Sequence, residues 1–105
     1  MSKEYIICSA IWYDDGKAYV HQPINTETGF VICGMRHHNI FTTVSILHEH
    51  IHGHSTLDVF EKKQGFLTNK NRFVDRIEGR EIAINAEQLL NMDKLGDELF
   101  SEDIF

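Results

Sequence analysis

Four histidines lie within seven residues, at positions 48, 50, 52 and 54. His48, Glu49 and His52 fit the H-E-x-x-H pattern, in which two histidines one helical turn apart chelate zinc and the glutamate deprotonates a bound water. A third ligand would have to be an acid such as Asp58 or Glu61, because no histidine follows this stretch. Only three positions of the pattern are defined, so a match in a histidine-rich segment is weak evidence. We therefore expect a polar loop here, with incidental metal binding and zinc-dependent hydrolysis as the alternatives.

A second candidate site lies in the segment "QGFLTNKNRFVDRIEGREIAINAEQ". It joins an extended run to a polar turn and a helix N-terminus, where free backbone N–H groups and the helix dipole favour anions. Arg72 precedes the predicted helix, and Arg76 and Arg80 lie on one face of it at i, i+4 spacing. Arginine can hold phosphate oxygens through two parallel hydrogen bonds, so the pattern indicates a nucleotide-phosphate site.

Uncharged residues of this segment could complete such a site. Asn69 and Asn71 offer donors and acceptors to a ribose or a base edge. Phe66 and Phe73 offer a stacking surface, and stacking is worth about 1–3 kcal/mol per base. In the competing interpretation, both rings belong to the core, and the helix arginines form solvated ion pairs with neighbouring acids, each worth roughly 0.3–0.5 kcal/mol.

The sequence "GMRHHN" forms a further cluster, with Arg36, His37 and His38 between a predicted strand and a predicted helix. The start of a helix is again a position that suits an anion. The competing interpretation gives His37 and His38 a structural or turn role. The serines, by contrast, have no base at a recognisable spacing, so the sequence indicates no nucleophile–base pair.

The charge distribution restricts the class of partner. The 105 residues carry a net charge of −6, with 42% hydrophobic and 25% charged residues, which is ordinary for a globular domain. Residues 62–80 carry six basic and two acidic side chains, whereas residues 81–105 carry one basic and seven acidic side chains. A local basic patch on an acidic protein suits a compact anion better than a nucleic-acid polymer. Because neither a membrane span nor a signal peptide is recognisable, we expect a cytoplasmic protein.

The pattern along the chain predicts one α+β domain, 1–105, whose residues 91–105 form an acidic and amphipathic C-terminal tail. This tail is expected either to dock through its apolar residues, Leu95, Leu99, Phe100, Ile104 and Phe105, or to be a partly mobile segment. "EYIICSAIWY", "DDGK" and "AYVHQ" predict an N-terminal β-hairpin. "FVICGM" predicts a third strand of a small antiparallel sheet, buried on both faces. "GFLT" predicts a short extended segment before a turn at "NKN".

About two helices are expected to pack on this sheet. In "RHHNIFTTVSILHEH" the apolar residues fall at helical spacing with Asn39 as the candidate N-cap, although its β-branched residues would also suit a strand. The C-terminal helix is expected to start near Asp75, which forms a capping-box-like pair with Glu78. Cys8 and Cys33 lie in strand-like runs and are expected to be buried thiols, with a disulfide or a metal pair as the alternative.

Two stretches, "AIWYDDGKAYVHQPINTETGFVICGMRHHNIF" and "QGFLTNKNRFVDRIEGREIAINAEQ", resemble the Thoeris anti-defence sponge proteins, a family of small phage and prophage proteins. The most recognisable parts are "GMRHH", from Gly34 to His38, and "GFLTNKNRFVDR", from Gly65 to Arg76. The resemblance covers most of residues 5–90 and does not include the histidine-rich stretch.

This resemblance implies a protein without enzymatic activity that binds a cyclic ADP-ribose signal made by bacterial TIR-domain proteins. Sequestration without cleavage would block Thoeris immunity in the cytoplasm of the infected bacterial cell. The resemblance also implies small α+β subunits that form a homo-oligomer with ligand pockets between protomers. Some members bind cyclic di- or trinucleotides at a separate site. It implies no cofactor, no metal and no membrane partner.

Carried over residue by residue, the resemblance implies a ligand-binding set drawn from both motifs. Arg72 and Arg76 are expected to hold the pyrophosphate, Asn71 to read the ribose or base, and Phe66 or Trp12 to stack on the adenine. The other members of the set are Thr68, Arg36, His37 and His38.

Two other classes of function compete with this prediction. One is an enzyme, either a zinc-dependent hydrolase that uses His48, Glu49 and His52 or a phosphodiesterase that uses His37 and His38. The other is an inhibitor that binds a host protein through its acidic tail.

Overall fold

A computed structural model describes residues 3–52 and 61–105, which form an antiparallel sheet with two helices. In chain order the elements are β1 Ile6–Asp14, β2 Phe30–Gly34, α1 His37–His52, β3 Glu61–Thr68, β4 Phe73–Asp75, α2 Arg76–Asn85 and a 3-10 helix Ser101–Asp103. The strand order is β2-β1-β3-β4, and every pair is antiparallel. The predicted α+β class is confirmed. Neither of the described helices is long and apolar enough to cross a membrane.

The two helices pack on one face of the sheet, the face on which Ile11 and Tyr13 of β1 lie. Ile11 and Tyr13 of β1 lie against Ile40 and Val44 of α1, and all four are buried. A second cluster joins the start of β1, β3, β4 and α2 to the chain that follows α2. Its buried members are Ile6, Phe66, Val74, Ile82, Ala83, Leu89, Leu99 and Ile104. The sheet is therefore covered in two halves, and the space between the halves is bounded by the starts of the two helices.

The start of α1 differs in detail from the prediction. Asn39 is the third residue of the helix rather than its N-cap, and its side-chain carbonyl accepts a hydrogen bond from the backbone N–H of Arg36 at 3.1 Å. This is the reciprocal half of a capping box, which satisfies a backbone donor at the helix start. The helix also continues to His52, so the expected loop does not include the H-E-x-x-H residues.

The start of α2 is as predicted. The Asp75 carboxylate accepts a hydrogen bond from the backbone N–H of Glu78 at 2.8 Å and so caps the helix. The helix ends at Asn85, before the apolar stripe is complete, and Glu87 adopts a positive φ of 58°. Leu89 is still buried because the chain folds back over the same core cluster.

The predicted N-terminal hairpin is wrong. A turn does form at Gly16, which has a positive φ of 80°, but residues 18–22 form no strand. β1 instead pairs with β2 on one side and with β3 on the other, so both of its edges are occupied. Val20 is 78% exposed, so this segment buries little apolar surface that could stabilise a strand here.

Two further predictions about the strands are wrong. β2 lies at the edge of the sheet, and its residues are half-buried or exposed rather than buried on both faces. Cys33 of β2 is exposed, and Cys8 is half-buried. Both cysteines are free thiols. The hydrogen bond between them, together with burial, raises the pKa of the Cys8 thiol.

The C-terminal segment docks on the core. Leu99 and Ile104 are buried, whereas Leu95 is 92% exposed. The backbone N–H of Leu99 donates to the carbonyl of Arg76 at 2.9 Å, which ties the segment to the start of α2. Asp103 is buried and forms an ion pair with Lys94.

Gly29 and Gly16 provide a test of how the loop between β1 and β2 is held. Both have positive φ angles, 79° and 80°, but a Cβ on Gly29 would lie 2.7 Å from Trp12 Nε1, whereas Gly16 has open space. We expect Gly29→Ala to lower the free energy of unfolding by about 1–3 kcal/mol more than Gly16→Ala, because only the former overpacks. Urea denaturation of the two variants measures the difference, and equal losses would show that the loop adapts freely.

Candidate functional site

A cleft of about 270 Å³ lies between the first turns of the two helices and the C-terminal segment. It brings together the two motifs that the sequence analysis identified, with Arg36, His37 and His38 from one and Arg76 from the other. Its full lining is Arg36, His37, His38, Phe41, Gln64, Arg76, Phe100, Ser101 and Glu102.

The cleft is electropositive for two separate reasons. It contains two guanidinium groups, Arg36 and Arg76. It also lies beside the starts of α1 and α2, where the helix dipoles favour negative charge, although the backbone N–H groups of His37 and Glu78 are already bonded to Ser101 and Asp75. Among the lining residues that the structure describes, Glu102 is the one carboxylate. The arrangement therefore suits an anion that can reach both arginines.

Arg76 is held in place but is not saturated. Its Nη2 donates to Gln64 Oε1 at 2.7 Å, and its guanidinium lies 4.9 Å from the centre of the Phe100 ring. Its Nε is buried and has no hydrogen-bond partner in the described part of the chain. A buried donor without a partner is rare in folded proteins and indicates a group that a ligand could satisfy after a small shift.

Arg36 fastens the C-terminal segment to the other side of the cleft. Its Nη2 donates to the main-chain oxygen of Phe105 at 2.7 Å. Arg36 is half-buried, and its remaining N–H groups extend the donor capacity of the cleft.

The ring of His37 is buried in the wall of the cleft and bonds through both nitrogens. Nε2 lies 2.7 Å from the Gly65 carbonyl, to which it must donate, since a carbonyl can only accept. Nδ1 lies 2.6 Å from Ser101 Oγ, which donates to it when the imidazole is neutral. Ser101 Oγ also contacts Ser9 Oγ at 2.8 Å and accepts from the His37 backbone N–H at 3.2 Å.

The close contact of Ser101 with His37 contradicts the expectation that no serine has a basic partner. The two residues are far apart in sequence, so no spacing pattern could reveal the contact. Ser101 is 5% exposed and its oxygen already has three partners. In this arrangement the network locks the C-terminal segment to α1, rather than presenting a free nucleophile to the cleft.

The buried state of His37 predicts a pH dependence of stability. Burial lowers the pKa of His37 and the charge of Arg76 adds to this, while the contact with Gly65 opposes it. The unfolded chain therefore takes up the proton first, and stability falls as the pH drops below the ordinary histidine pKa of about 6.5. We expect the free energy of unfolding to be lower at pH 5 than at pH 7.5, with a slope of at most about 1.4 kcal/mol per pH unit from one proton.

Two variants test the source of this pH dependence by urea denaturation at several pH values. His37→Gln should flatten the dependence between pH 5 and 7.5, whereas His38→Gln, at an exposed position, should leave it unchanged. A pH dependence that persists in His37→Gln would assign it to another group. Glu4 does not interfere in this range, because its hydrogen bonds with Arg72 hold the pKa of its carboxyl below the usual value.

The structure places Arg72 outside the cleft. Its Nε and Nη2 lie 2.9 Å from the two carboxylate oxygens of Glu4, and Nη2 lies 2.8 Å from Glu78. Thr68 is 1% exposed, and its hydroxyl donates to Glu4 at 2.7 Å. These bonds occupy the guanidinium fork that a phosphate would need, and they link the N-terminus to the turn between β3 and β4.

The other residues of the predicted set also lie outside the cleft. Phe66 is fully buried in the core, with its ring 5.2 Å from that of His37, so a ligand could stack on it only if the core opened. Asn71 is exposed in the turn after β3 and has a positive φ of 57°. Trp12 lines a separate cavity of about 430 Å³ with Asp14, Lys62 and Lys63.

A protein family described as "Phage T4 y16D protein" has a model that matches residues 5–105. The chain belongs to this family of phage proteins. The matched range includes every residue of the cleft. The family description names no ligand, partner or reaction. No curated protein and no solved structure matches the chain.

The histidine-rich stretch of this phage protein is only partly described. His48 and His52 lie one turn apart on the backbone of α1, as the zinc-peptidase pattern requires. His54 and Asp58 lie outside the described residues. Within residues 3–52 and 61–105 no group of three or more His, Cys, Asp or Glu residues is arranged to hold a metal ion.

Five residues of the cleft were not predicted as site residues: Phe41, Gln64, Phe100, Ser101 and Glu102. Phe100, Ser101 and Glu102 belong to the C-terminal segment, which was expected to be an acidic tail. Their position depends on the docking of Leu99 and Ile104 on the core. The apolar residues of the tail indicated docking as one of two alternatives, and Leu99 and Ile104 are buried as docking requires, whereas Leu95 is exposed.

Proposed function

We propose that this phage protein binds a phosphate-bearing nucleotide of the cyclic ADP-ribose type in the cleft and holds it without cleaving it. The signal would then be withheld from the TIR-dependent defence in the cytoplasm of the infected bacterium. The observation that carries the proposal is the convergence of Arg36 and Arg76 on one cleft at two helix starts. One residue of the second cluster, Arg76, thus lies in the same cleft as Arg36, His37 and His38 of the first.

The pyrophosphate is assigned to the space between the two arginines. Guanidinium groups pair with phosphate oxygens through parallel hydrogen bonds, and the dipoles at the two helix starts favour the same negative charge. The unpartnered Nε of Arg76 is a donor that such a ligand would satisfy. His38, which is exposed, and Gln64 supply polar contacts at the margin of the cleft.

The base is assigned to Phe100 rather than to Phe66 or Trp12. Phe100 lines the cleft, is 37% exposed and already lies over the Arg76 guanidinium. An exposed ring next to a phosphate site can stack on a base at a gain of about 1–3 kcal/mol. Phe66 would have to leave the core to do the same.

The size of the cleft supports a homo-oligomer. Its volume of about 270 Å³ is slightly below the roughly 300–1,000 Å³ of sites that enclose a small molecule. The pyrophosphate and one sugar would fill it, so the rest of the nucleotide would extend past Phe100. A second protomer that covers this side would complete the pocket. Cyclic di- or trinucleotides would then require a further site elsewhere on the oligomer.

Retention without cleavage is supported by the state of the histidine in the cleft wall. Both ring nitrogens of His37 are bonded within the protein, so neither is free to activate a water. Glu102 and His38 are the titratable groups that remain on the described lining besides the arginines. Cleavage would require these two to act together on the ligand.

A retention experiment tests the proposal. Purified protein is mixed with cyclic ADP-ribose isomers, washed and heat-denatured, and the released small molecules are separated by chromatography. The proposal predicts that a bound isomer is returned unchanged. A cleaved product would identify an enzyme, and a chelator control would then test the zinc-dependent alternative. Failure of every isomer to bind would reject the ligand class and would favour a protein partner.

A further inference from the structure

Arg80 carries a buried positive charge that has no counter-ion among the residues that the structure describes. The residue is 8% exposed. Its Nη2 donates to the Lys94 carbonyl at 2.6 Å, while its Nη1 is buried and has no hydrogen-bond partner within residues 3–52 and 61–105. No carboxylate of the described chain forms an ion pair with it. From the sequence, Arg80 was either a helix arginine of the phosphate site or a solvated helix charge. Its burial contradicts the second interpretation, and it does not line the cleft.

An unpaired buried cation is destabilising, since the lost hydration is not replaced by an opposite charge. Arg72 on the same protein shows the usual solution, because it is paired with two carboxylates. Arg80 lacks such a pair and lines a groove of about 350 Å³ between α2 and the following segment. The groove is lined by Ile77, Arg80, Glu81, Ile84, Gly96 and Asp97.

The walls of this groove are largely apolar. Ile77 is 56% exposed and Ile84 is 39% exposed, and both project from α2 on the side of Arg80. A ligand that combined one negative charge with a hydrocarbon chain would satisfy both features of the groove. The rim carries Glu81 and Asp97, which are exposed and repel any anion, so an anion with a single negative charge is disfavoured least.

We propose that the groove beside Arg80 binds a small alkyl monocarboxylate, whose carboxylate pairs with the Arg80 guanidinium and whose chain lies on Ile77 and Ile84. The site is separate from the phosphate cleft, because the two linings share no residue. Its volume is within the range of sites that enclose a small molecule.

Titration of the folded protein with hexanoate, followed through the backbone amide NMR signals, tests the proposal. Saturable shifts are expected at Ile84, Gly96 and Asp97. 1-Hexanol, which lacks the charge, and inorganic phosphate, which lacks the chain, should not produce them. Equal shifts with 1-hexanol would reduce the site to an apolar surface, and equal shifts with phosphate would make it a general anion site. Either result overturns the proposal, as does the absence of shifts with hexanoate.

Variants at Arg80 separate binding from folding. Arg80→Met should weaken hexanoate binding about tenfold or more, while stability is kept or increased, because an uncompensated buried charge is removed. Arg80→Lys keeps the charge without the fork and should bind with intermediate affinity. Lys70→Met removes an exposed charge outside the groove and should have no effect.

The opposite outcomes are equally informative. A strongly destabilised Arg80→Met together with a stable Arg80→Lys that shows no hexanoate response would make Arg80 a structural residue and overturn the proposal. Unchanged hexanoate binding in Arg80→Met would do the same. Glu81→Gln should strengthen binding, since one like charge is removed from the rim.

Discussion

Replacement of Arg36 and Arg76 by glutamine in one variant is expected to weaken binding of the nucleotide signal by roughly 100-fold or more. Each charge-assisted hydrogen bond to a phosphate contributes about 1.5–3 kcal/mol, and two such losses amount to at least about 3 kcal/mol. The two side chains line the same cleft, so a pyrophosphate can contact both. Equilibrium dialysis of the labelled signal measures the change.

The control must separate local contacts from the loss of two charges. Lys3→Gln with Lys70→Gln removes the same charge at two exposed positions away from the cleft. This control should reduce affinity only slightly, and less at higher salt, where exposed charges are screened. Thermal denaturation must show that both variants remain folded, because Arg36 also bonds to Phe105. Full affinity in the arginine variant would exclude the cleft as the binding site.

Phe66→Ala is expected to lower the free energy of unfolding by about 3–5 kcal/mol. Its ring is fully buried among Val74, Ile82 and Leu99, and truncation leaves a cavity in the main core cluster. A domain of this size has a total stability of about 5–15 kcal/mol, so the variant would be close to unfolding. The midpoint of urea denaturation measures the loss.

Phe100→Ala is the matched control, because the same ring is removed from a surface position. Phe100 is 37% exposed, so the expected loss of stability is below about 1 kcal/mol, whereas ligand binding should weaken. Comparison of the two variants thus distinguishes a ring that stabilises the core from a ring that contacts the ligand. The opposite pattern, a stable Phe66→Ala that fails to bind and a Phe100→Ala that binds normally, would restore Phe66 as the stacking residue.

Local interactions made part of the fold predictable. The start of α2 was predictable because Asp75 and Glu78 are three residues apart and cap the helix with a bond that involves no distant residue. The helical character of residues 37–52 followed from apolar spacing in the same way. The concentration of arginines near the start of α2 was also evident in the sequence, and one of these arginines, Arg76, lines the cleft.

The choice among similar residues required long-range contacts. Arg72 and Arg76 both look like candidate phosphate ligands in the sequence. Arg72, however, forms an ion pair with Glu4, which is distant in the chain, whereas Arg76 lines the cleft. Phe66 and Phe100 are likewise separated only by packing, because β3 directs one ring into the core. No local pattern carries this information, since it depends on which distant side chains contact each guanidinium or ring in the folded protein.

The sequence by itself therefore determined the α+β class, the capped helix at Asp75 and the two basic clusters, all of which rest on periodicity or short spacing. Tertiary structure alone decided that β1 pairs with β2 and β3, that the C-terminal segment docks, and that Arg36 and Arg76 face one cleft. The physical reason is that strand partners and cleft walls are selected by the burial of apolar surface across the whole domain. Hydrogen bonds such as that of His37 with Ser101 can form only after this burial has brought their partners together.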